Sequence, residues 1–215
     1  MKFQILNSTD SEIQLVVEGA SEALMNLIRR TIIYNVPTFA VEEVYFKENT
    51  SVLYDEILAH RVGLIPLKVD ASIFKMKDPK IDITLNVEGP KIVTSADLQT
   101  KGKGVEILYP NTPLVNLSEH QKVEFRAVAI PGQGKEHVKW SAGHAYYFHY
   151  PSKAKGTENL QKLRKMVDDE EIATLKNQPN KFILVIESWG QLEPKELLKQ
   201  TLTNIGANLS ELKVK

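Results

Sequence analysis

In the stretch NTSVLYDEILAHRVGLIPLK (residues 49–68), Asp55, Glu56, His60 and Arg61 fall within seven positions. Carboxylates, an imidazole and a guanidinium are groups that move protons or grip charged ligands. On a helix, residues four apart share a face, so Glu56 and His60 have the spacing of an acid–base pair. No nucleophile stands beside them, no glycine-rich cradle follows, and the segment runs on into apolar GLIPL. A hydrolase built on Glu56 and His60 is therefore the weakest functional reading. The better one is architectural: Asp55, Glu56 and Arg61 act as ion pairs and caps. They fix a short helix at the junction where the chain passes from one domain into another.

Other candidate chemistry is sparse. His144 and His149 are five apart on an expected strand and point to opposite faces, and His137 has no histidine neighbour, so a metal site is not expected. The stretch PGQGKEHVKW (residues 131–140) lacks both the P-loop spacing and a strand-to-helix continuation. It reads as a tight turn whose His137, Lys139 and Trp140 make local or partner contacts. Trp140 with Tyr146, Tyr147 and Phe148 could stack bases, which makes an independent nucleic-acid-binding module the alternative reading. Against it, 27 basic residues are matched by 27 acidic ones, whereas gripping a phosphate backbone calls for a basic excess.

Composition narrows the field further. An apolar share of 42% and a charged share of 25% are those of a globular chain. No apolar run approaches the length of a membrane span, and MKFQILNSTDSEIQLVVEG does not resemble a signal peptide. Cysteine is absent from the 215 residues. That removes thiolate metal sites and disulfides and makes the reducing cytoplasm the expected compartment.

The elements that must position these residues follow from periodicity. Phe3 and Ile5, then NSTDS, then Ile13, Leu15 and Val17 predict a hairpin. Ser21 is the expected N-cap of a helix carrying Leu24, Leu27, Ile28 and Ile32 on one face, which Pro37 stops. Arg29 and Arg30, being adjacent, point about 100° apart and do not form one clamp. From Val41 to Tyr150 short alternating segments predict an antiparallel β-rich domain. The highly charged stretch 152–180 reads as a connector or surface helices. KFILVIESWG is a strand whose continuous apolar run suits cover on both faces. In the last helix Leu198, Leu202, Ile205, Leu209 and Leu212 form a narrow heptad seam, suited to packing against other helices. The expected class is α+β: a discontinuous domain from residues 1–40 and 181–215, a β-rich insert at 41–151, and the connector at 152–180.

Taken together, NLIRRTIIYNVPTFAVEEVYFKENTSVLYDEILAHRVGLIPL closely resembles the signature of the alpha-like assembly subunits of multisubunit DNA-directed RNA polymerases. That family includes the archaeal D subunits, the eukaryotic third-largest subunit and the bacterial alpha N-terminal domain. The match runs in register through Asn26, Arg29, Arg30, Pro37, Ala40, Val44, Asn49, Ser51, Asp55, Glu56, Ala59, His60 and Arg61. GQGKEHVKW and FILVIESWGQLEP follow in the family's order. The resemblance implies a non-catalytic scaffold, and with no cysteine to ligate a cluster no cofactor is expected. Its discontinuous dimerisation domain would pair with the small alpha-like subunit L, through Leu24, Leu27, Ile28 and Ile32 of the first helix and the seam of the last. It also implies contact with the second-largest subunit and with small subunits N and P. Asn26, Arg29, Arg30, Asn49, Asp55, Glu56, His60, Arg61, His137, Lys139 and Trp140 are then candidate subunit contacts. Two departures stand out: Leu27 occupies a position where the family favours a small residue, and the cysteine-ligated clusters of many archaeal relatives have no ligands here.

Overall fold

The computed structural model describes residues 1–151 and 177–211. In chain order it begins β1 (Lys2–Ser8), β2 (Glu12–Glu18), α1 (Glu22–Tyr34), β3 (Pro37–Asn49), α2 (Asp55–Gly63), β4 (Leu67–Val69), β5 (Ile81–Glu88) and β6 (Lys91–Thr94). It continues β7 (Gln99–Lys101), β8 (Val105–Ile107), β9 (Pro113–Leu117), β10 (Lys122–Gln133), β11 (Gly143–Pro151), β12 (Asn177–Ser188) and α3 (Pro194–Glu211). The chain folds as two compact units, Met1–Val36 with Ala142–Lys215, and Pro37–Ser141. Among the described residues no helix is long and apolar enough to cross a membrane.

Unit 1 is one antiparallel sheet in the order β1-β2-β12-β11 with α1 and α3 on one face. The hairpin forms as its alternation dictates, with a register shift between Ile5 and Asn7. Along β12, Phe182, Leu184 and Ile186 pack toward the helices while Ile183 and Val185 are buried on the opposite face with Val16 and Tyr150. The uninterrupted apolar run thus has its two-sided burial. The stretch AYYFHY, expected inside the insert, is β11 of this sheet instead; alternation alone does not say which sheet an edge strand joins.

α1 starts where Ser21 predicts, the hydroxyl accepting from the Leu24 N–H at 3.2 Å. Its buried face is Met25, Ile28, Thr31 and Ile32, so the expected face needs correcting. Leu24 is half-buried and Leu27 is 44% exposed. Ile28, one residue on, is turned about 100° from Leu27, and that rotation carries Leu27 off the core.

α3 needs the same correction. Its buried stripe is Pro194, Leu197, Thr201 and Ile205. Leu198 and Leu202 are half-buried on its flank, Leu209 is 59% exposed, and Leu212 lies outside the described residues. The stripe was hidden by Thr201, a polar residue that is fully buried because its hydroxyl donates to the Leu197 carbonyl at 2.8 Å.

Unit 2 holds the sheet β3-β10-β5-β7 and the pairs β4–β8 and β6–β9, all antiparallel. α2 buries Leu58 and Val62 in a core with Phe39, Val41, Ile83, Leu85, Leu114 and Phe125. The short strands β4, β6, β7 and β9 escaped the sequence reading. The unit starts at Pro37, not 41, and ends at Ser141, not 151. Of the 152–180 connector, residues 152–176 lie outside the described residues and 177–180 open β12.

Candidate functional site

The charged cluster resolves into a hydrogen-bonded corner. At the end of β3, the Asn49 amide donates to the Leu53 carbonyl at 2.9 Å and to Asp55 Oδ1 at 2.7 Å. Asn49 Oδ1 accepts from the Ser51 N–H and hydroxyl at 3.1 and 2.6 Å. One side chain therefore folds the turn and holds the first residue of α2. The Arg61 guanidinium donates to the Leu114 carbonyl at 2.7 Å, tying α2 to β9. These bonds, from the Asn49 amide to Asp55 and from Arg61 to the Leu114 carbonyl, stand in place of the expected ion pairs. The corner also lies within unit 2, past the junction at residues 36 and 37.

Glu56 and His60 are both exposed. His60 lines a cleft of about 210 Å³ and Glu56 does not, so the acid–base pair is not assembled in one place. The cleft lies between β3, α2 and the loop after β10, lined by Val41, Glu42, Val44, Ala59, Gly63, Leu64, His137 and Lys139 besides His60. It therefore joins DEILAHRVGL to GQGKEHVKW, which sequence spacing alone did not place together.

The loop that walls the cleft is held from several sides. His137 Nδ1 accepts from the Lys139 N–H at 3.1 Å, capping the short 3-10 turn Val138–Trp140. The Lys139 ammonium donates to the Val41 carbonyl at 2.9 Å, pairs with Glu42, and sits 4.4 Å from the centre of the Trp140 ring. Trp140 is buried, its indole N–H donating to Ile130 at 3.1 Å and its carbonyl accepting from Thr38 Oγ1 at 2.8 Å. Trp140 is therefore not a stacking platform for bases. Tyr147 packs on the helix side of β11 and Tyr146 and Phe148 on the other, so that aromatic run does not form one surface either.

On the outer face of the unit 2 sheet, positive charge is locally consumed. Arg126 pairs with Asp82 at 2.7 Å, and Lys122 pairs with Glu124 at 2.8 Å and Glu48 at 3.0 Å. Hydrogen bonds that the Lys122 ammonium donates to Glu124 and then to Glu48 hold it well above its ordinary range. Lys122, then Lys47, holds the Glu124 carboxyl below its own. Among the described residues no group of three His, Asp or Glu side chains is placed to hold a metal ion.

Unit 1 presents a different surface. Leu27 and Tyr34 on α1 are 44 and 40% exposed, and Leu209 on α3 is 59% exposed. Leu24, Leu198 and Leu202 are partly buried at the margin of the same core. Asn204 donates to the Asn35 carbonyl at 3.1 Å, locking α3 to the end of α1. Arg29 is folded back onto Asn26 Oδ1 at 2.9 Å, and the exposed Arg30 lies 5.9 Å from the Tyr34 ring centre. Ile28, Ile32 and Ile205, expected at a partner interface, are instead core residues at 0, 0 and 9% exposure.

Comparison with known proteins gives a consistent picture. Residues 44–145 match the family model described as the RNA polymerase Rpb3/RpoA insert domain. The chain is 36% identical to DNA-directed RNA polymerase subunit Rpo3 of Pyrococcus horikoshii, over 94% of this chain and 92% of that protein. It is 37% identical to the Methanocaldococcus jannaschii subunit Rpo3, over 82% of this chain and 76% of that one. With the Pyrococcus furiosus subunit Rpo3 it shares 42% identity over 70% of this chain and 59% of that one.

Proposed function

From the premise that this chain belongs to the Rpo3 family of DNA-directed RNA polymerase subunits, we propose that it is a non-catalytic assembly scaffold of the polymerase. Unit 1 pairs through α1 and α3 with the small alpha-like subunit L. That pair then seeds attachment of the second-largest subunit, with subunits N and P docking nearby, in the cytoplasm.

One observation carries the reading. Leu27, Leu198, Leu202 and Leu209 are left uncovered or half-covered by the chain's own fold. Leucines at this density on two interlocked helices are the signature of a helix-packing surface. The core assignment of Ile205 decides which variants test it. Ile205→Asp would place an unpaired carboxylate in the chain's own core and unfold it, whereas Leu209→Asp strikes the exposed end of α3 and Leu198→Asp its half-buried margin. Co-expressed with the small subunit, the flank variants are expected to stay folded and lose co-purification. Retention of the partner by a folded double variant overturns the proposal.

A further inference from the structure

At one end of unit 2 two loops run side by side. The first, residues 70–80, joins β4 to β5, and the second, residues 102–104, joins β7 to β8. They are closed together at both ends. The Asp70 N–H donates to the Gly104 carbonyl at 2.9 Å, and Lys101 faces Asp82 across the β5–β7 pairing. The first loop is also anchored from within, because Ile73 and Phe74 pack on the unit 2 core and the Phe74 ring meets Phe39 at 4.7 Å.

This end carries positive charge in excess. Lys75, Lys77, Lys101 and Lys103 are exposed, and among the described residues none of them forms an ion pair. Lys80 pairs with Asp78 at 3.0 Å and Arg126 with Asp82 at 2.7 Å, so two of the three local carboxylates are already spent. The third, on Asp70, lies against Gly104. A chain whose charges balance overall thus gathers four uncompensated ammonium groups at one tip.

The kind of group present selects the partner. Lysine is a point charge suited to phosphate, whereas a carboxylate is gripped best by the two-pronged guanidinium of arginine. The arginine nearby, Arg126, is held by Asp82 and lies 5.8 Å from the Tyr45 ring centre. Proteins that bind single strands add exposed aromatic rings on which bases stack. The only aromatic residue of the two loops, Phe74, is turned onto the core instead. Charge without a stacking surface meets a backbone and does not read bases. Gly102, at φ +128° with open space where a Cβ would stand, leaves the second loop bare enough for a bulky polymer to approach.

We propose that this lysine tip is an accessory, sequence-independent contact for the phosphate backbone of a DNA duplex. The inference rests only on the chain's place in a DNA-directed polymerase. Such an assembly holds DNA, so even a weak second contact acts at high effective concentration. Each ammonium displaces counterions from the phosphate it meets, and that release drives binding.

The full chain is titrated against a short labelled DNA duplex over a salt series. Four phosphate contacts predict a log–log slope of affinity against salt of about −3 to −4. Lys75→Gln, Lys77→Gln, Lys101→Gln and Lys103→Gln are each expected to reduce that slope by about 1. Combined, they weaken binding about tenfold or more at low salt. The unfolding midpoint stays unchanged, since these exposed groups hold nothing in the fold. Lys195→Gln with Lys199→Gln on α3 leaves affinity and slope as they were. No measurable binding of the duplex at low salt overturns the inference. Equal loss in the α3 variant does so as well, by assigning the binding to bulk charge. Tighter binding of a single strand, or of polyglutamate, also overturns it. Pairing with the small subunit is scored separately by Leu198→Asp and Leu209→Asp, so either proposal can fail alone.

Discussion

β12 in unit 1 and β10 in unit 2 are both inner strands, yet they are buried by different rules. Within β12 every side chain from Phe182 to Ile186 is at 0 or 1% exposure. β10 alternates: Val123, Phe125, Ala127 and Ala129 turn inward, while Glu124 and Arg126 turn out into ion pairs. The one-sided strand belongs to a unit whose core closes on itself. The two-sided strand belongs to a unit whose inner strands β2 and β12 are buried on both faces while the edge strand β1 stays exposed, and whose helices still leave leucines uncovered. Unit 2 is thus finished around its sheet, whereas unit 1 is unfinished along its helices.

The sharpest test of that contrast is truncation at outward positions of the two strands. Ile183→Ala in β12 is expected to cost about 2–5 kcal/mol, read by chemical denaturation. Arg126→Ala in β10 should leave stability nearly unchanged. Equal effects would erase the distinction. Next in size, Leu198→Asp with Leu209→Asp should weaken pairing with the small subunit by about 2 kcal/mol or more, measured by titration, with little change in the chain's own midpoint. Loss of folding instead would mean that the flank belongs to the core.

The helix starts sharpen the comparison at smaller scale. α1 is capped by the Ser21 hydroxyl, while α2 has Tyr54 at its N-cap and no side-chain cap bond. Ser21→Ala should therefore lower stability by about 1 kcal/mol, and Tyr54→Ser should raise it by about 0.5–1 kcal/mol. Both are readable as shifts in thermal midpoint. A gain at Tyr54 accompanied by weaker assembly would show a poor cap retained for its exposed ring.

The smallest effect is acid-dependent and confined to unit 2. Because Lys122 and Lys47 hold Glu124 below its ordinary range, its carboxylate favours the folded state above the unfolded value of about 4.3. That contribution disappears as pH falls through the lower folded value. Wild type and Glu124→Gln should therefore converge in stability toward strong acid and differ at neutral pH, as a pH series of denaturation curves would record.

What the sequence disclosed was local. Ser21, Pro37 and the alternation of β1 and β2 act on near neighbours, and each lies where its chemistry puts it. The run Phe182–Ile186 announced its two-sided burial by lacking any polar residue. What stayed hidden depends on distant partners or self-satisfied polar groups. Thr201 looks unsuited to a core until its hydroxyl is seen on Leu197. Short strands such as β4 and β7, three residues each, carry too little periodicity to register. Asp55 and Arg61 advertised ion pairing, but their partners are Asn49 and the Leu114 carbonyl. His60 and His137 share a cleft because β3 and β10 pair along their whole length, a register set by the sheet and not by either histidine.

Trp140 lies where a side chain on Gly132 would be, since a Cβ there would stand 2.4 Å from the indole ring. The smallest possible substitution, Gly132→Ala, would act as a wedge: the ring must lift, and the residues on either side of it lift as well. Lys139 would then be drawn away from Glu42 and the neighbouring backbone, and one bank of the cleft would go with it. A single hydrogen atom standing in place of a methyl group thus keeps a recess open on the far side of the loop.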